Sequence, residues 1–327
     1  MISKTWLEYK AFSDLVLPSK FICSDLFQSL NLKINLYDVG ARNGLNGIFR
    51  LLSQRDLVFP FFFEPDENDS ITIENIDKEK KYNIGLWDKK SVNKLYINKE
   101  PSTSSFFPHN SKVSHQFETA VWKVRELDYS SEVECDTFDN VVESKNIPDY
   151  LKLDVHGAEF KVLAGAKKNL LNNYPLVSVE TWVLDIYKGA KYEHEVTKLM
   201  YDYGYQILDS FPCFQAKHKI QSKRKIYTTR FGKRIGNEVL YVKRPENIIK
   251  KDDATFIKHI ALLELFGFRD VSLYMMDTFL MEDKSLHKKI YNTLIKNSEK
   301  ESSYFFKIKY KVLRKMLNLN HIPSFKN

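Results

Sequence analysis

Two periods of apolar residues alternate along most of this chain. Short apolar runs bounded by Gly, Pro, Asp or Asn read as buried strands; apolar residues recurring every three or four positions read as helices. Strands are expected at 34–40, 57–63, 82–87, 150–155, 176–180, 205–208 and 238–242. Helices are expected at 46–54, 159–172 and 193–203, with a short one at 137–144. Strand-like alternation at 94–97 precedes a Ser/Thr/Pro-rich loop, Pro101 to Pro108. Residues 1–30 read as an amphipathic helix broken at Pro18, and helical patterning resumes at 254–265, 285–296 and 304–317. Strands and helices alternating at this spacing imply βαβ units and a mostly parallel sheet. The final two strands have no helix between them, which suits an antiparallel edge. The expected organisation is a helical segment at 1–30, an α/β domain at 31–248 and a basic helical extension at 249–327.

Composition changes this picture little. The chain has 327 residues, 43% of them hydrophobic, enough for one large α/β domain with additions. No apolar run approaches the roughly 20 residues a membrane span needs. The first residues show no apolar signal core. Cys23, Cys135 and Cys213 form neither a zinc pattern nor a disulfide framework, so a cytoplasmic setting is expected.

Charge adds more. Residues 211–327 carry 25 Lys+Arg against 11 Asp+Glu, whereas residues 1–210 carry 25 against 31. A basic tail on a mildly acidic body fits an anionic neighbour, whether phosphate-bearing substrate, nucleic acid or peripheral membrane surface. It fits a Lys-rich solvated face equally well.

Candidate chemistry begins at the end of the first strand. Asp38-Val39-Gly40-Ala41-Arg42-Asn43-Gly44 turns from strand to helix, and in a doubly wound sheet ligands bind at such strand ends. Glycine there permits close approach and unusual dihedrals. Asp38 can accept from a ligand ammonium or simply order the loop. Because the glycines are spaced G-x-x-x-G, the G-x-G-x-x-G of dinucleotide binders is absent, which argues against a dehydrogenase. Glu64 ends the next strand, before Pro65, where a carboxylate can accept from both ribose hydroxyls of an adenosine; it also reads as a turn acid. The fourth strand carries Asp154, His156 and Glu159. In extended chain Asp154 and His156 project to one side. The three groups could do general-base work or hold a metal. Glu159 also suits the first turn of a helix as a dipole-favoured acid, and His156 a polar loop.

In order and spacing, these segments resemble the FkbM family of S-adenosylmethionine-dependent methyltransferases. The resemblance spans roughly residues 34–182 and rests on Tyr37 to Gly44, Phe63-Glu64-Pro65, Ser104-Ser105-Phe106 and, most specifically, Leu151 to Ala166. It implies a class I methyltransferase (Rossmann-like) fold: a doubly wound, mostly parallel sheet with an antiparallel edge strand. It also implies S-adenosyl-L-methionine as cofactor and O-methylation of a sugar, glycan or related natural product. Asp38, Gly40, Ala41, Arg42, Asn43 and Gly44 are then expected to hold the cofactor's amino-acid end. Glu64 would take the ribose and Asp88 would lie near adenine. Asp154, His156 and Glu159 are the expected catalytic residues, with no metal. The family has Glu where this chain has His156, a change that could alter acceptor preference or supply a base nearer neutrality.

The basic stretch 217–234 joins the last two strands and could arch over the acceptor pocket. Its Lys223, Arg224, Lys225, Arg230, Lys233 and Arg234, interleaved with Tyr227 and Phe231, suit a phosphorylated, nucleotide-linked or lipid-linked acceptor. A solvated loop is the plainer alternative. Two other classes stay open: an RNA methyltransferase, favoured by the basic tail but lacking any recognisable RNA-binding module, and a non-catalytic protein that binds the cofactor.

Overall fold

A computed structural model of the chain describes residues 17–42, 44–45, 47–66, 81–118, 121–143, 145–221, 232–249 and 252–302. Asn43, the expected helix at 304–317, residues 1–16 and the middle of the basic stretch, 222–231, lie outside the described residues. The chain divides into two compact units, one of residues 35–44 and 60–249, the other of residues 1–34, 45–59 and 250–327.

The first unit holds most of a seven-stranded sheet. Its strands are β1 (Ile34–Val39), β2 (Val58–Phe63), β3 (Lys81–Tyr82), β7 (Tyr150–Leu153), β8 (Leu176–Trp182), β9 (Tyr205–Ala216) and β10 (Lys233–Lys243). Their order is β3-β2-β1-β7-β8-β10-β9. β7 pairs in parallel with both β1 and β8, whereas β10 runs antiparallel to both β8 and β9. This is the class I methyltransferase arrangement, antiparallel edge included. The central strands β1, β7 and β8 are buried almost throughout, as expected for parallel strands covered on both faces. The order reverses between β1 and β7, so the carboxyl ends of those strands open onto the crevice where α/β sheets bind ligands.

A second sheet is inserted between β3 and β7. It contains β4 (Gly85–Leu86), β5 (Ser91–Asn98) and β6 (Leu127–Asp136), with β6 in the middle. The expected strand at 82–87 is therefore two strands in two sheets. At Gly85 a Cβ would lie 2.5 Å from Cys135 Sγ, so the absence of a side chain lets β4 and β6 pair. β6 left no trace in the apolar pattern because its side chains are exposed along most of its length. The expected helix 159–172 is also interrupted, forming α6 (Glu159–Gly165) and α7 (Lys167–Asn172). Gly165 packs so closely on Trp87 that a Cβ would stand 2.0 Å from the Trp87 carbonyl oxygen.

The other unit is helical. It contains α1 (Asp25–Ser29), α2 (Gly47–Gln54), α9 (Asp253–Leu265), α10 (Arg269–Thr278) and α11 (Lys284–Ser302). Residues 17–23 form two 3-10 turns about Pro18, where the amphipathic helix was expected to break. The carboxylate of Glu264 is fully buried and accepts from the Phe21 backbone N–H (3.0 Å) and the Arg269 guanidinium. These bonds compensate a charge that would otherwise be costly to bury. Residues 45–59, which the apolar pattern assigned to the α/β domain, group with this unit, where Phe49 meets Phe266 at 6.1 Å between ring centroids.

Candidate active site

The site starts from the turn after β1. Gly40 adopts φ +83°, and a Cβ there would lie 2.1 Å from the Asp154 carbonyl oxygen. Both the dihedral and the contact demand glycine. The Gly40 and Ala41 N–H groups donate to the Phe63 carbonyl at 3.0 and 3.2 Å, fixing the turn against the end of β2. Gly44 closes it by donating to the Ala41 carbonyl at 2.8 Å.

Beside this turn lies a cleft with about 590 Å³ of empty space, part of it open to solvent. Of the expected cofactor residues, Gly40, Arg42 and Glu64 line it, and Asp154 and His156 line its other side. Asp38, Ala41, Gly44, Asp88 and Glu159 do not. Asp38 is buried and pairs with Lys152 at 3.0 Å; burial pushes its carboxyl up, and Lys152 offsets part of that rise. Asp88 pairs with Lys161 at 2.6 Å. Arg42 pairs with Asp66 at 2.7 Å and donates to the Pro101 carbonyl, tying the β1 turn to the Glu64-Pro65-Asp66 corner. Glu64 accepts the Asp66 N–H at 3.0 Å, which turns its carboxylate toward the cleft wall.

Glu159 has a different task from the one expected. Both its oxygens accept the Gly157 N–H, at 3.0 and 2.9 Å, and Oε1 also faces the Val155 N–H at 3.3 Å. It clamps the loop that carries Asp154 and His156. Burial pushes its carboxyl up to about 7, against the pull of those N–H bonds. Ser105, from the Ser-Ser-Phe segment, donates to the His156 carbonyl at 2.6 Å. The loop holds His156 at φ +53°, a left-handed conformation unusual outside glycine.

The sequence reading missed Glu180, near the carboxyl end of β8. His156 Nδ1 lies 3.4 Å from Asp154 Oδ1 and 3.8 Å from Glu180 Oε2. Lys152 Nζ lies 3.7 Å from Asp154 Oδ2. Burial and the charges of Asp154 and Glu159 raise the Glu180 carboxyl well above its usual range. Burial acts the same way on Asp154, but Lys152, His156 and the Glu180 hydrogen bond outweigh it and hold that carboxyl low. Of the two carboxyls, Glu180 is therefore the one pushed toward its protonated form and Asp154 the one held toward its ionised form. Burial lowers His156 to about 4, so the imidazole is neutral at pH 7. Ligand atoms of Asp154, His156 and Glu180 all lie within 4.8 Å of one another, close enough to hold a divalent cation. The signal that would have found Glu180 is the one already used for Asp38 and Asp154, an acid near the carboxyl end of a central strand.

Beyond His156 the walls become aromatic. Trp182 and Tyr187 lie 6.2 and 6.0 Å from its ring, and they belong to a buried cluster with Phe117, Trp122, Ile186, Ala216 and Ile235.

Residues 38–207, more than half the chain, match the family described as the methyltransferase FkbM domain. Similar solved structures include a methyltransferase FkbM from Methylobacillus flagellatus KT, 14% identical with a TM-score of 0.35, matched over 65% of this chain and 46% of that one. The chain thus spans about half the length of that protein. Another is magnesium protoporphyrin IX methyltransferase from Synechocystis PCC 6803 with bound SAM, 11% identical with a TM-score of 0.30, over 75% of this chain and 99% of that one. No curated protein matches the chain in sequence. By the family match over residues 38–207, the chain belongs to the FkbM family of S-adenosylmethionine-dependent methyltransferases.

Proposed function

We propose that this chain methylates a hydroxyl group of a sugar, glycan or related small-molecule natural product. The observation that carries this reading is the juxtaposition of Asp154 and His156 with the glycine turn in one cleft, Glu180 lying beside the first two. The cleft's residues fit an adenosine-bearing cofactor: a carboxylate at the end of β2 and a side-chain-free turn at the end of β1. When bound, the cofactor supplies an electrophilic methyl group on a sulfonium. Glu64 would accept from the ribose hydroxyls, and the Gly40 to Gly44 turn would face the amino-acid end. Asp38 acts from behind, holding Lys152 next to Asp154. Asp88 is proposed near adenine.

The hydroxyl oxygen attacks the methyl carbon as the carbon–sulfur bond breaks, so the sulfonium leaves as a neutral thioether. The hydroxyl proton goes to His156, whose neutral ring can accept it, and the resulting imidazolium is stabilised by ionised Asp154. Alignment supplies much of the rate, because the sulfonium is already reactive. Glu180, protonated, keeps the cluster's net charge low. Glu159 positions the loop. No metal is needed in this scheme, since a proton already separates the two carboxylates. Three free cysteines support a reducing, cytoplasmic setting, and no helix among the described residues is long and apolar enough to cross a membrane.

The test is methyl transfer from labelled cofactor to a panel of glycans and nucleotide sugars by wild type and Asp154→Asn. Transfer to a hydroxyl that falls at least a hundredfold in the variant is expected. Transfer to RNA or to nitrogen acceptors alone would overturn the reading.

A further inference from the structure

Arg125 is 6% exposed, yet among the described residues no carboxylate lies within salt-bridge distance of its guanidinium. A buried cation without a counter-ion is costly, and native proteins rarely tolerate one without purpose. Its one hydrogen bond runs from Nε to the Tyr187 hydroxyl at 3.3 Å. Its plane lies 5.7 Å from the rings of both Trp122 and Phe214, which fixes the guanidinium between aromatic faces. The terminal NH2 groups, the fork that binds oxyanions bidentately, have no partner in the described residues.

The surroundings repeat the theme of unspent donors. Trp122 Nε1, Trp182 Nε1 and His109 Nε2 are buried without a hydrogen-bond partner. All three rings pack about Tyr187 or Trp122: Trp182 is 5.2 Å from Tyr187, His109 is 6.2 Å from Tyr187 and 6.1 Å from Trp122. Such orphans in a native interior call for a bound partner. Arg125 is near enough to His156 and Glu180 for its charge to act on both.

We propose that Arg125 anchors an oxyanion of the methyl acceptor, a carboxylate or a phosphate, so that a neighbouring hydroxyl of the same molecule meets His156 and Asp154. The acceptor class is therefore an acidic sugar or related acidic hydroxyl compound. This rests on the hydroxyl-methylating reading above and narrows it. Arg is suited to the task because its planar fork can stay stacked while both terminal nitrogens bind the anion.

The test uses the full chain saturated with S-adenosylhomocysteine and three probes: D-glucuronate, D-glucose 1-phosphate and D-glucose. Binding is followed by tryptophan fluorescence at low and moderate salt. At least one anionic sugar should bind tenfold or more tighter than glucose, and whichever does so identifies the anion as carboxylate or phosphate. Arg125→Gln should erase that preference, and Arg125→Lys should keep part of it, while both hold S-adenosylhomocysteine within about threefold of wild type. A purely packing role for Arg125 would move stability without moving the ratio between charged and neutral probes. Should Arg125→Gln fail to fold, the Arg125→Lys ratio and the wild-type preference decide alone. Equal binding of all three sugars, no binding of either anionic one, or a preference that survives Arg125→Gln overturns the proposal. Failure of wild type to bind S-adenosylhomocysteine at all would instead overturn the underlying function.

Discussion

The two sides of the cleft are built by different means. The cofactor side is local: one turn after β1 and one corner after β2, shaped by glycine, proline and backbone hydrogen bonds to Phe63. The proposed acceptor side is assembled from afar, with Asp154 and His156 after β7 at the cleft, Glu180 of β8 and Tyr187 beside His156, and Arg125, after a short helix, bonded to Tyr187. Side chains, not backbone, give that side its chemistry. The lesson is that a site's backbone half tolerates almost no substitution, whereas its side-chain half can be retuned residue by residue.

This contrast can be broken most sharply at Gly40. Gly40→Ala places a Cβ 2.1 Å from the Asp154 carbonyl oxygen at φ +83°. It should lower the melting temperature by several degrees and weaken cofactor binding at least a hundredfold, with turnover lost as a consequence. A stable, active Gly40→Ala protein would mean the two strand ends are not held together by that turn.

Next in size is Asp154→Asn. Turnover should fall about 10²–10⁴-fold, the range of a lost general-base contribution, while cofactor affinity changes less than about threefold. The reverse split would move Asp154 to the cofactor side. Glu180→Gln sharpens the same point from a different direction. Glutamine imitates the protonated carboxyl, so turnover should stay within about fivefold, whereas Glu180→Ala should cost far more. Equal damage by both would show that Glu180 works as an anion.

The pH profile gives a smaller effect. In the proposed scheme His156 is a neutral base, its imidazole lowered to about 4 by burial. Protonation inactivates it, so kcat/KM should hold from pH 7 down to about 5 and decline below that. An acid limb centred near 6.5 would describe a solvated histidine and contradict the buried placement. The smallest expected effect is that of chelation: EDTA should leave turnover within about twofold. Loss of activity restored by Mg²⁺ would reassign Asp154, His156 and Glu180 as metal ligands.

How much of this was legible in the sequence follows the same division. The parallel core was readable because β1, β7 and β8 are short apolar runs ended by acids and glycine, and the Gly40 turn and Glu64 follow directly from strand ends. Gly85 and Gly165 were not readable as close contacts, because what they touch, Cys135 and Trp87, lies far away in sequence. β6 carries mostly exposed side chains and leaves no periodic signal. Glu159 was read as chemistry, though its carboxylate is committed to backbone N–H groups two residues earlier. Arg125 went unnoticed because nothing next to it in the chain marks it, and Glu180 because its place near the end of β8 was read as strand alone. Only folding brings one opposite Asp154 and sets the other between aromatic rings.

The most direct measurement is calorimetric titration of S-adenosylmethionine into wild type, Glu64→Ala and Asp38→Asn. Wild type should bind one equivalent. Glu64→Ala should lose roughly 30-fold or more, the loss expected when hydrogen bonds to a charged group are removed. Asp38→Asn, which frees Lys152 and loosens the turn, should also bind markedly more weakly. Unchanged affinity in both variants would place the cofactor elsewhere and contradict the site described here.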